Sequence, residues 1–335
     1  MTSPTVKIGV LSFAHLHAMS YAQQLAQNPL IGFVGIAGSD LESAKHYATH
    51  FETTAFESDE ALLDAPGLDA VIICSENVHH RELTEKAAAA GKHVLCEKPL
   101  ATTLADAEAM ISTCKAAGVQ LMTAFPCRYS PVMQRLKTIV DSGEAGEILA
   151  MRGTNRGRNP GGWFVDKALS GGGATIDHTV HVTDLMRWIL KDEVKEVYAE
   201  LSNGISHADF DDVGFLSLTF RRGVFATLDA SWSRPKSFPT WGDVTLEIVT
   251  DRGTLSMDMF SQNLVLYSDR TGNVSWQNWG GDMDGGMVGA FAEAIGTGLP
   301  VPITGEDGLR ATEVALAAYR SSETLAPVQI PVGVR

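Results

Sequence analysis

The chain has 335 residues, of which 44% are hydrophobic and 20% charged, and its formal net charge is -14 at pH 7. That length is enough for two globular cores of ordinary size. The acidic balance argues against broad binding to nucleic acids or anionic membranes, which needs a basic surface. No apolar run approaches the ~20 residues of a membrane span, and no targeting segment opens the chain, so we expect a soluble, cytoplasmic protein.

Short, almost continuous apolar runs alternate with amphipathic stretches over the first 125 residues. Such runs are typical of strands that are buried on both faces of a sheet. Strands and helices that alternate with short connections predict a doubly wound parallel sheet with right-handed crossovers. This is the layout of a dinucleotide-binding domain, which we place at residues 1–125. The predicted strands are residues 6–11, 33–37, 70–74, 93–96 and 119–125.

The pattern changes in the second part of the chain, residues 126–335. A helix is predicted over residues 131–142, and further helices begin near residues 175, 287 and 308. Between them, Leu216, Leu218 and Phe220 alternate with polar residues, and residues 224–230 and 245–248 follow the same period of two. This alternation predicts a mostly antiparallel sheet with one packed face. We therefore predict a second α/β domain.

The turn after the first strand lacks the glycines that let a backbone approach a pyrophosphate at a helix N-terminus. The usual G-x-G-x-x-G falls on Ser12, Ala14 and His17. The Cβ of Ala14 and the bulk of His17 predict weaker binding at the pyrophosphate than three glycines allow. A protonated His15 or His17 would compensate, and the affinity would then rise as the pH falls. The alternative is a doubly wound domain that binds no nucleotide.

The second strand ends without the acid that usually binds the adenosine ribose. Gly38 stands at the expected position, and Asp40 follows two residues later. Asp40 could reach the ribose or could cap the helix that begins at Leu41. Because Gly38 and Ser39 leave room for a 2′-phosphate, either NAD or NADP is compatible with the sequence.

Polar side chains also follow the next two strands of the predicted sheet. Ser75, Asn77 and His80 follow residues 70–74, and Glu97-Lys98-Pro99 follows residues 93–96. The carboxyl ends of parallel strands are where such sheets bind ligands, so Lys98 is predicted to point into the ligand crevice. The alternative is a surface lysine before a turn proline.

A second cluster of ionisable residues follows a run of glycines in the later domain. Asp177, His181 and Asp184 share one face of the predicted helix at roughly 100° per residue. A carboxylate and an imidazole one turn apart can hydrogen-bond, which fixes the imidazole tautomer and raises its basicity. One alternative is a solvated polar face with a capping Asp. Another is a metal site that uses His178 and His181, which is disfavoured because its ligands divide between faces.

The cysteines give no sign of a metal site or of disulfides. They show no C-x-x-C spacing, and three of them lie in apolar runs or on the apolar face of a helix. We expect buried free thiols and no metal cofactor. The four are Cys74, Cys96, Cys114 and Cys127.

A series of short motifs appears in order along nearly the whole chain. They are Asn77 with His80, Ala90-Gly91-Lys92-His93, Glu97-Lys98-Pro99, Arg128 with Pro131, Gly143-Glu144-Ala145-Gly146-Glu147, Trp163-Phe164 with Asp166, Gly171-Gly172-Gly173 with Asp177 and His181, and Gly305-Glu306-Asp307-Gly308-Leu309-Arg310 with Ala318-Tyr319. This ordered set resembles the glucose-fructose oxidoreductase, inositol dehydrogenase and rhizopine-catabolism family (Gfo/Idh/MocA). The resemblance implies a Rossmann domain and an α/β domain on an open, mostly antiparallel sheet. It also implies NAD(P)-dependent hydride transfer between nicotinamide and a sugar or polyol.

The resemblance further implies which residues perform the reaction. His181, oriented by Asp177, would take the hydroxyl proton, and Lys98 would orient the hydroxyl or share the proton relay. We expect the three to converge in the cleft between the domains. The expected cofactor contacts are Ser12, Phe13, Ala14, His15, Ser39, Asp40, Ser75, Asn77, His80, Glu97 and Lys98. The expected substrate contacts are Lys98, Arg128, Trp163, Phe164, Asp177 and His181, although the two aromatic residues fit a core equally well.

Two other functions remain open at this point. One is an NAD-dependent glycosidase of the same family, and the other is a non-catalytic ligand sensor. Lys98, Asp177 and His181 argue against the sensor, whereas the loss of the loop glycines argues for it. We also expect a homodimer or homotetramer formed through the outer face of the second sheet, because Phe225 lies on the face opposite Val224.

Overall fold

The computed structural model describes residues 6–38, 40–261, 263–268, 273–278 and 281–330. The elements of the first part are β1 (Val6–Leu11), α1 (Ala18–Gln27), β2 (Ile31–Ala37), α2 (Leu41–His50), β3 (Thr54–Phe56), α3 (Asp59–Leu63), β4 (Ala70–Ile73), α4 (His80–Ala89), β5 (His93–Cys96), α5 (Leu104–Ala117) and β6 (Leu121–Thr123). Those of the second part are α6 (Pro131–Asp141), β7 (Ile148–Thr154), α7 (Lys167–Ser170), α8 (Ala174–Leu190), β8 (Val194–Ser202), β9 (Val213–Phe220), β10 (Phe225–Asp229), β11 (Thr245–Thr250), β12 (Thr254–Asp258), β13 (Asn263–Ser268), β14 (Asn273–Asn278), α9 (Met283–Thr297), α10 (Gly305–Thr324) and β15 (Val328–Gln329).

The chain divides into two compact units. The first comprises the described residues up to Pro126 together with Asp166–Gly171 and Asp284–Thr312. The second comprises Cys127–Val165, the described part of Gly172–Met283, and the described residues from Glu313 onward. Each unit has its own sheet and its own hydrophobic cluster.

The first unit is built on a six-stranded parallel sheet in the order β3-β2-β1-β4-β5-β6. This order confirms the predicted doubly wound sheet. All four residues of β4 are fully buried, which explains the unbroken apolar run by which the strand was predicted. β3 was not predicted, because it is a three-residue edge strand with no fully buried position.

The second unit is built on a seven-stranded mixed sheet in the order β12-β11-β7-β10-β9-β8-β15. β7 and β10 pair in parallel, and the other neighbours pair antiparallel. Leu216, Leu218 and Phe220 are at most 2% exposed, whereas Phe215 on the other face is 56% exposed. The period of two in the hydrophobic pattern of β9 therefore corresponds to one packed face and one open face of the sheet, as predicted.

Helix α8 covers the packed side of this unit and is buried almost all the way round. Sixteen residues of α8 are buried, including Asp177, His181 and Asp184. The alternative of a solvated polar face is therefore wrong, and each ionisable group on α8 needs a partner inside the protein.

Two further expectations concern the chain as a whole. All four cysteines are buried free thiols, as predicted. Among the described helices, none is both long enough and apolar enough to cross a lipid bilayer.

Candidate active site

The turn between β1 and α1 keeps the backbone shape of a glycine turn without its glycines. Ser12 has a φ of 68°, in the left-handed region that favours glycine. Its N–H donates to the Ala37 carbonyl at 2.7 Å, and its hydroxyl accepts from the Ala14 N–H at 3.2 Å. Phe13 stacks on Tyr47 with 4.2 Å between ring centroids. Hydrogen bonds and stacking thus hold this conformation in place of glycine.

His17 stands at the N-cap of α1, but its side chain does not cap the helix. Its Nδ1 lies 3.0 Å from Oε1 of the fully buried Glu97 and 3.2 Å from the Tyr21 hydroxyl. The other oxygen of Glu97 accepts from the Lys98 N–H at 2.9 Å. His15 Nδ1 accepts from the His17 N–H at 3.2 Å and lies 3.6 Å from Glu97. Glu97 therefore joins the carboxyl end of β5 to the start of α1.

The donor atoms of His15, His17 and Glu97 lie within 4.8 Å of one another, a spacing that a metal site can also show. Hydrogen bonds already explain this spacing. A backbone N–H occupies the Nδ1 lone pair of His15, and another backbone N–H occupies Oε2 of Glu97. We therefore interpret the cluster as a hydrogen-bonded charge pair.

The charges in this cluster favour a proton on His17. Burial alone would lower the pKa of His17, but the charge of Glu97 and its hydrogen bond raise the pKa above the usual 6.5. The charge of Lys98 lowers this pKa, and the charge of Asp284 raises it. Burial would likewise raise the pKa of Glu97, but His15, His17 and Lys98 hold it well below its usual range. His17 and Glu97 therefore form an ion pair at the positive end of α1, where phosphate groups bind in sheets of this type.

Affinity for NAD should consequently depend on pH. The affinity should be highest at acidic pH and should fall by about 10-fold as the pH rises through the raised pKa of His17, because the phosphates lose a charged donor. Calorimetric titration with NAD across that range measures this, with adenosine, which has no phosphate, as the control. His17→Gln should abolish the dependence. An NAD affinity that stays constant with pH would contradict the prediction.

Asp40 caps α2, because its Oδ1 accepts from the Ser43 N–H at 2.8 Å. A Cβ on Gly38 would lie 3.0 Å from the backbone nitrogen of Ala44 and from the Asp40 carbonyl, so the close start of α2 explains why no acid stands there. The ribose contact of Asp40 stays a prediction. Ser39 lies outside the described residues.

The segments after β4 and β5 are tied together within the first unit. His80 is fully buried, with Nδ1 at 3.0 Å from the Pro99 carbonyl and Nε2 at 3.4 Å from the Ser75 carbonyl. Burial lowers the pKa of His80 below its usual 6.5, against the opposing effects of the Glu97 charge and of the hydrogen bonds to these carbonyls. Asn77 donates to the Ser170 carbonyl at 2.8 Å. Lys98 is only 3% exposed, so the surface-lysine alternative is wrong.

The glycine run before α8 makes room for partners of the first helical turn. Asp211 accepts from the N–H groups of Gly173 at 2.9 Å and Thr175 at 2.7 Å. The Tyr319 hydroxyl donates to Asp211 at 2.8 Å, and burial together with Asp211 raises the pKa of this phenol well above its usual value. A Cβ on Gly173 would lie 2.0 Å from the Asp211 carbonyl, and one on Gly172 would lie 2.2 Å from the Tyr319 hydroxyl. Glycine is therefore needed to start α8 here.

Asp177 lies one turn into α8 and contacts two aromatic rings. The Trp232 indole N–H donates to Oδ2 of Asp177 at 3.1 Å, and Nε2 of His178 lies 3.2 Å from the same oxygen. His181 has its Nδ1 4.0 Å from the Cys127 sulfur. The predicted hydrogen bond between Asp177 and His181 stays a prediction.

The other predicted substrate residues of the second unit have partners of their own. Phe164 is 7% exposed and packs in a cluster with Trp232, while Trp163 stacks on it with 3.9 Å between centroids. Arg128 forms two hydrogen bonds with Asp184, at 2.7 and 2.6 Å. Phe164 thus has the packing of a core residue, and substrate contacts from these side chains stay predictions.

One residue of this site carries no signal in the sequence. Trp232 lies 55 residues from Asp177 in the chain, in a segment without a motif. Tyr319 was part of a motif, but nothing in the sequence indicated that it holds the start of α8. Long-range partners of this kind leave no periodicity to detect.

Comparison with known proteins identifies the architecture. A family model described as "Oxidoreductase family, NAD-binding Rossmann fold" matches residues 6–125, and one described as "GFO/IDH/MocA C-terminal domain" matches residues 133–256. Myo-inositol 2-dehydrogenase of Thermotoga maritima is 30% identical over 82% of this chain and 84% of its own length. The uncharacterized oxidoreductase YrbE of Bacillus subtilis is 29% identical over 92% of both.

A solved structure shows the same fold. The crystal structure of GenD2 from gentamicin A biosynthesis, in complex with NAD, superimposes with a TM-score of 0.91 and covers 99% of this chain and 98% of its own. At 23% identity this likeness concerns the fold alone. The two family models together span most of the chain, which therefore belongs to the Gfo/Idh/MocA family of oxidoreductases and has an NAD-binding Rossmann domain at residues 6–125.

Proposed function

We propose that the protein is an NAD(P)-dependent dehydrogenase or reductase that acts on a hydroxyl or carbonyl group of a sugar or polyol. The observation that carries the proposal is the buried carboxylate and imidazole of Asp177 and His181 on α8, together with the buried ammonium of Lys98. Buried ionisable groups are costly, so their presence in each unit, at the positions that the family resemblance assigns to catalysis, favours chemistry over packing. The related myo-inositol 2-dehydrogenase supports a polyol as the substrate class.

The residues of the first unit fit a nicotinamide dinucleotide. Ser12 keeps the turn in the left-handed conformation, and none of the described residues in the first turn of α1 is acidic. His17 lies at that helix end, paired with Glu97. These features would hold the pyrophosphate, while Ser12, Phe13, Ala14, His15, Asp40, Ser75, Asn77, His80, Glu97 and Lys98 are the contacts we propose among the described residues. When bound, the nicotinamide would accept or supply the hydride.

The chain's own groups would move the proton. His181 would take the proton of the substrate hydroxyl during oxidation, because an imidazole is a base near neutral pH. Asp177 would stabilise the imidazolium that forms. Lys98 would donate a hydrogen bond to the same substrate oxygen. In the reverse direction, His181 would return the proton to the developing alkoxide.

A cofactor and substrate panel tests this proposal. NAD and NADP are titrated first, and the better ligand is then assayed with inositols, aldoses and glycosides by the absorbance of the reduced nicotinamide. The proposal expects net reduction of the cofactor with at least one polyol or sugar. Cofactor that stays bound while a glycoside is cleaved without net reduction would instead indicate the glycosidase, and dinucleotide binding without turnover of any compound would indicate the sensor.

We propose that the protein forms a homodimer or homotetramer through the open face of the second sheet. Phe225 and Val249 are 61% and 45% exposed, and both pair with Ala150 of β7, so they form one apolar row across the sheet. Phe215 of β9, opposite Asp229 of β10, is 56% exposed on the same face. Exposed apolar rows of this kind favour association. Light scattering should give a multiple of the chain mass, and Phe225→Glu should reduce it. Leu299→Glu, at an exposed leucine outside this sheet, is the control, and a monomer mass at micromolar concentration would contradict the proposal.

A cytoplasmic location is part of the proposal, because all four cysteines are free thiols, as expected in a reducing compartment.

A further inference from the structure

Two ring nitrogens lie close to one oxygen of Asp177. The Trp232 indole lies 3.1 Å from Oδ2, and Nε2 of His178 lies 3.2 Å from it. The side chains of Asp177 and His178 are 12% and 7% exposed, so little water competes for these contacts. Because both contacts fall on Oδ2, they fix the rotation of the carboxylate about its Cβ–Cγ bond. The direction in which Oδ1 faces is fixed with it.

Both rings are themselves held by packing. Trp232 is 3% exposed and contacts Phe210 in a T-shaped arrangement with 5.8 Å between centroids. Its backbone N–H donates to the Asp212 carbonyl at 2.8 Å. His178 lies nearly perpendicular to Trp232, with 6.4 Å between their centroids. Neither ring can turn away from Asp177 without disturbing this cluster.

Gly157 leaves room for the imidazole of His178. A Cβ at position 157 would lie 2.6 Å from Cε1 of His178 and 3.1 Å from Nε2. Contacts that short would push the ring from its place. The glycine thus allows the backbone to pass directly beside the ring that contacts Asp177.

The two imidazoles near Asp177 have different tasks in this arrangement. A carboxylate oxygen only accepts hydrogen bonds, so Nε2 of His178 must carry a proton and act as a donor. That nitrogen is therefore not available as a base. His181, whose Nδ1 lies 4.0 Å from the Cys127 sulfur, keeps the role of the base that we propose above.

We propose that Trp232 and His178 are positioning residues that hold Asp177 by Oδ2 and direct its Oδ1 toward the reacting groups. This inference rests on the proposed function, because it assigns a task to partners of Asp177 in that reaction. A donor held by packing keeps the carboxylate charged and correctly aimed during each turnover. Losing one donor would leave Asp177 easier to protonate and free to rotate.

The test compares Trp232→Phe with Phe210→Leu. Trp232→Phe keeps an aromatic ring but removes the N–H, so kcat should fall by about 10-fold or more, while KM and the affinity for NAD change little. The acidic limb of the pH–rate profile should move to higher pH. Phe210→Leu loosens the same cluster but keeps both ring donors to Asp177, so it should move the profile much less than Trp232→Phe does.

Two further variants keep the inference testable if Trp232→Phe does not fold. His178→Phe removes the second donor, and Gly157→Ala displaces the ring without removing the donor, so both should shift the profile in the same direction. An unchanged rate and profile in Trp232→Phe, or an equal shift in Phe210→Leu, would overturn the inference.

A spectroscopic measurement separates this inference from the proposed function. With ¹⁵N-labelled tryptophan, the indole N–H resonance of Trp232 should shift in Asp177→Asn, whether or not a substrate is turned over. A resonance unaffected by Asp177→Asn would contradict the inference. If the resonance shifts in Asp177→Asn but the wild-type protein oxidises no polyol or sugar, the result would contradict the proposed function alone.

Discussion

Replacing His181 with Ala should lower turnover by ~100-fold or more while leaving the affinity for NAD nearly unchanged. The imidazole is the group we propose as the base, because Nε2 of the neighbouring His178 is engaged with Asp177. His181 lies on α8 in the second unit, whereas the NAD-binding domain is residues 6–125, so cofactor binding should not depend on it. In the wild type, alcohol oxidation should slow at acidic pH as the imidazole becomes protonated.

The controls for this prediction separate the base from its neighbours. Lys98→Met should impair both turnover and substrate binding, and Asp177→Asn should lower turnover by releasing control of the imidazole. His46→Ala, at an exposed histidine on α2, should change neither. Full activity in both His181→Ala and Lys98→Met would contradict the assignment. If only Lys98→Met were inactive, the base would be Lys98 and His181 an orienting group.

Replacing Asp184 with Asn should lower the free energy of unfolding by about 3–5 kcal/mol. Asp184 is fully buried and forms both hydrogen bonds with Arg128, whose guanidinium also lies 5.4 Å from the ring centroid of Trp188. Arg187 lies 3.9 Å from the same carboxylate. The substitution removes one charge of the pair and leaves the buried guanidinium without its counter-ion. Denaturant unfolding followed by circular dichroism measures the loss.

An exposed ion pair in the same unit provides the matched control. Arg152 and Glu247 lie 3.3 Å apart with side chains 65% and 50% exposed, so Glu247→Gln should cost at most about 1 kcal/mol. Combining Asp184→Leu with Arg128→Met should recover much of the stability lost in Asp184→Asn, because an apolar pair carries no desolvation cost. Equal losses in the free energy of unfolding for Asp184→Asn and Glu247→Gln would contradict the claim that burial makes the Arg128–Asp184 pair important for stability.

The sequence was sufficient to predict those elements whose hydrophobic pattern is visible in consecutive residues. The strands β4 and β5 are buried on both faces and therefore appear as apolar runs, and β9 appears as an alternation because only one of its faces is packed. β3 escaped prediction because three residues at a sheet edge have neither pattern. Local capping of α2 by Asp40 was also within reach of the sequence, as one of two alternatives.

The partners of the ionisable groups could not be predicted from the sequence. Helical periodicity placed Asp177 and Asp184 on one face of α8 but could not show which distant residues neutralise them. Trp232 and Arg128 lie 55 and 56 residues away along the chain. The same limit applies to His17. Its position in the turn was clear from the sequence, but its pairing with Glu97 depends on how β5 ends beside α1.

Transfer of deuterium from substrate to cofactor would reveal the hydride transfer itself. The protein is incubated with NAD or NADP and C-deuterated myo-inositol, scyllo-inositol or glucose, and the nicotinamide is analysed by mass spectrometry. We expect a reduced nicotinamide that carries one deuterium from at least one of these compounds, and loss of that label in His181→Ala. Bound cofactor that gains no deuterium from any of them would contradict the claim that this protein is a sugar or polyol dehydrogenase.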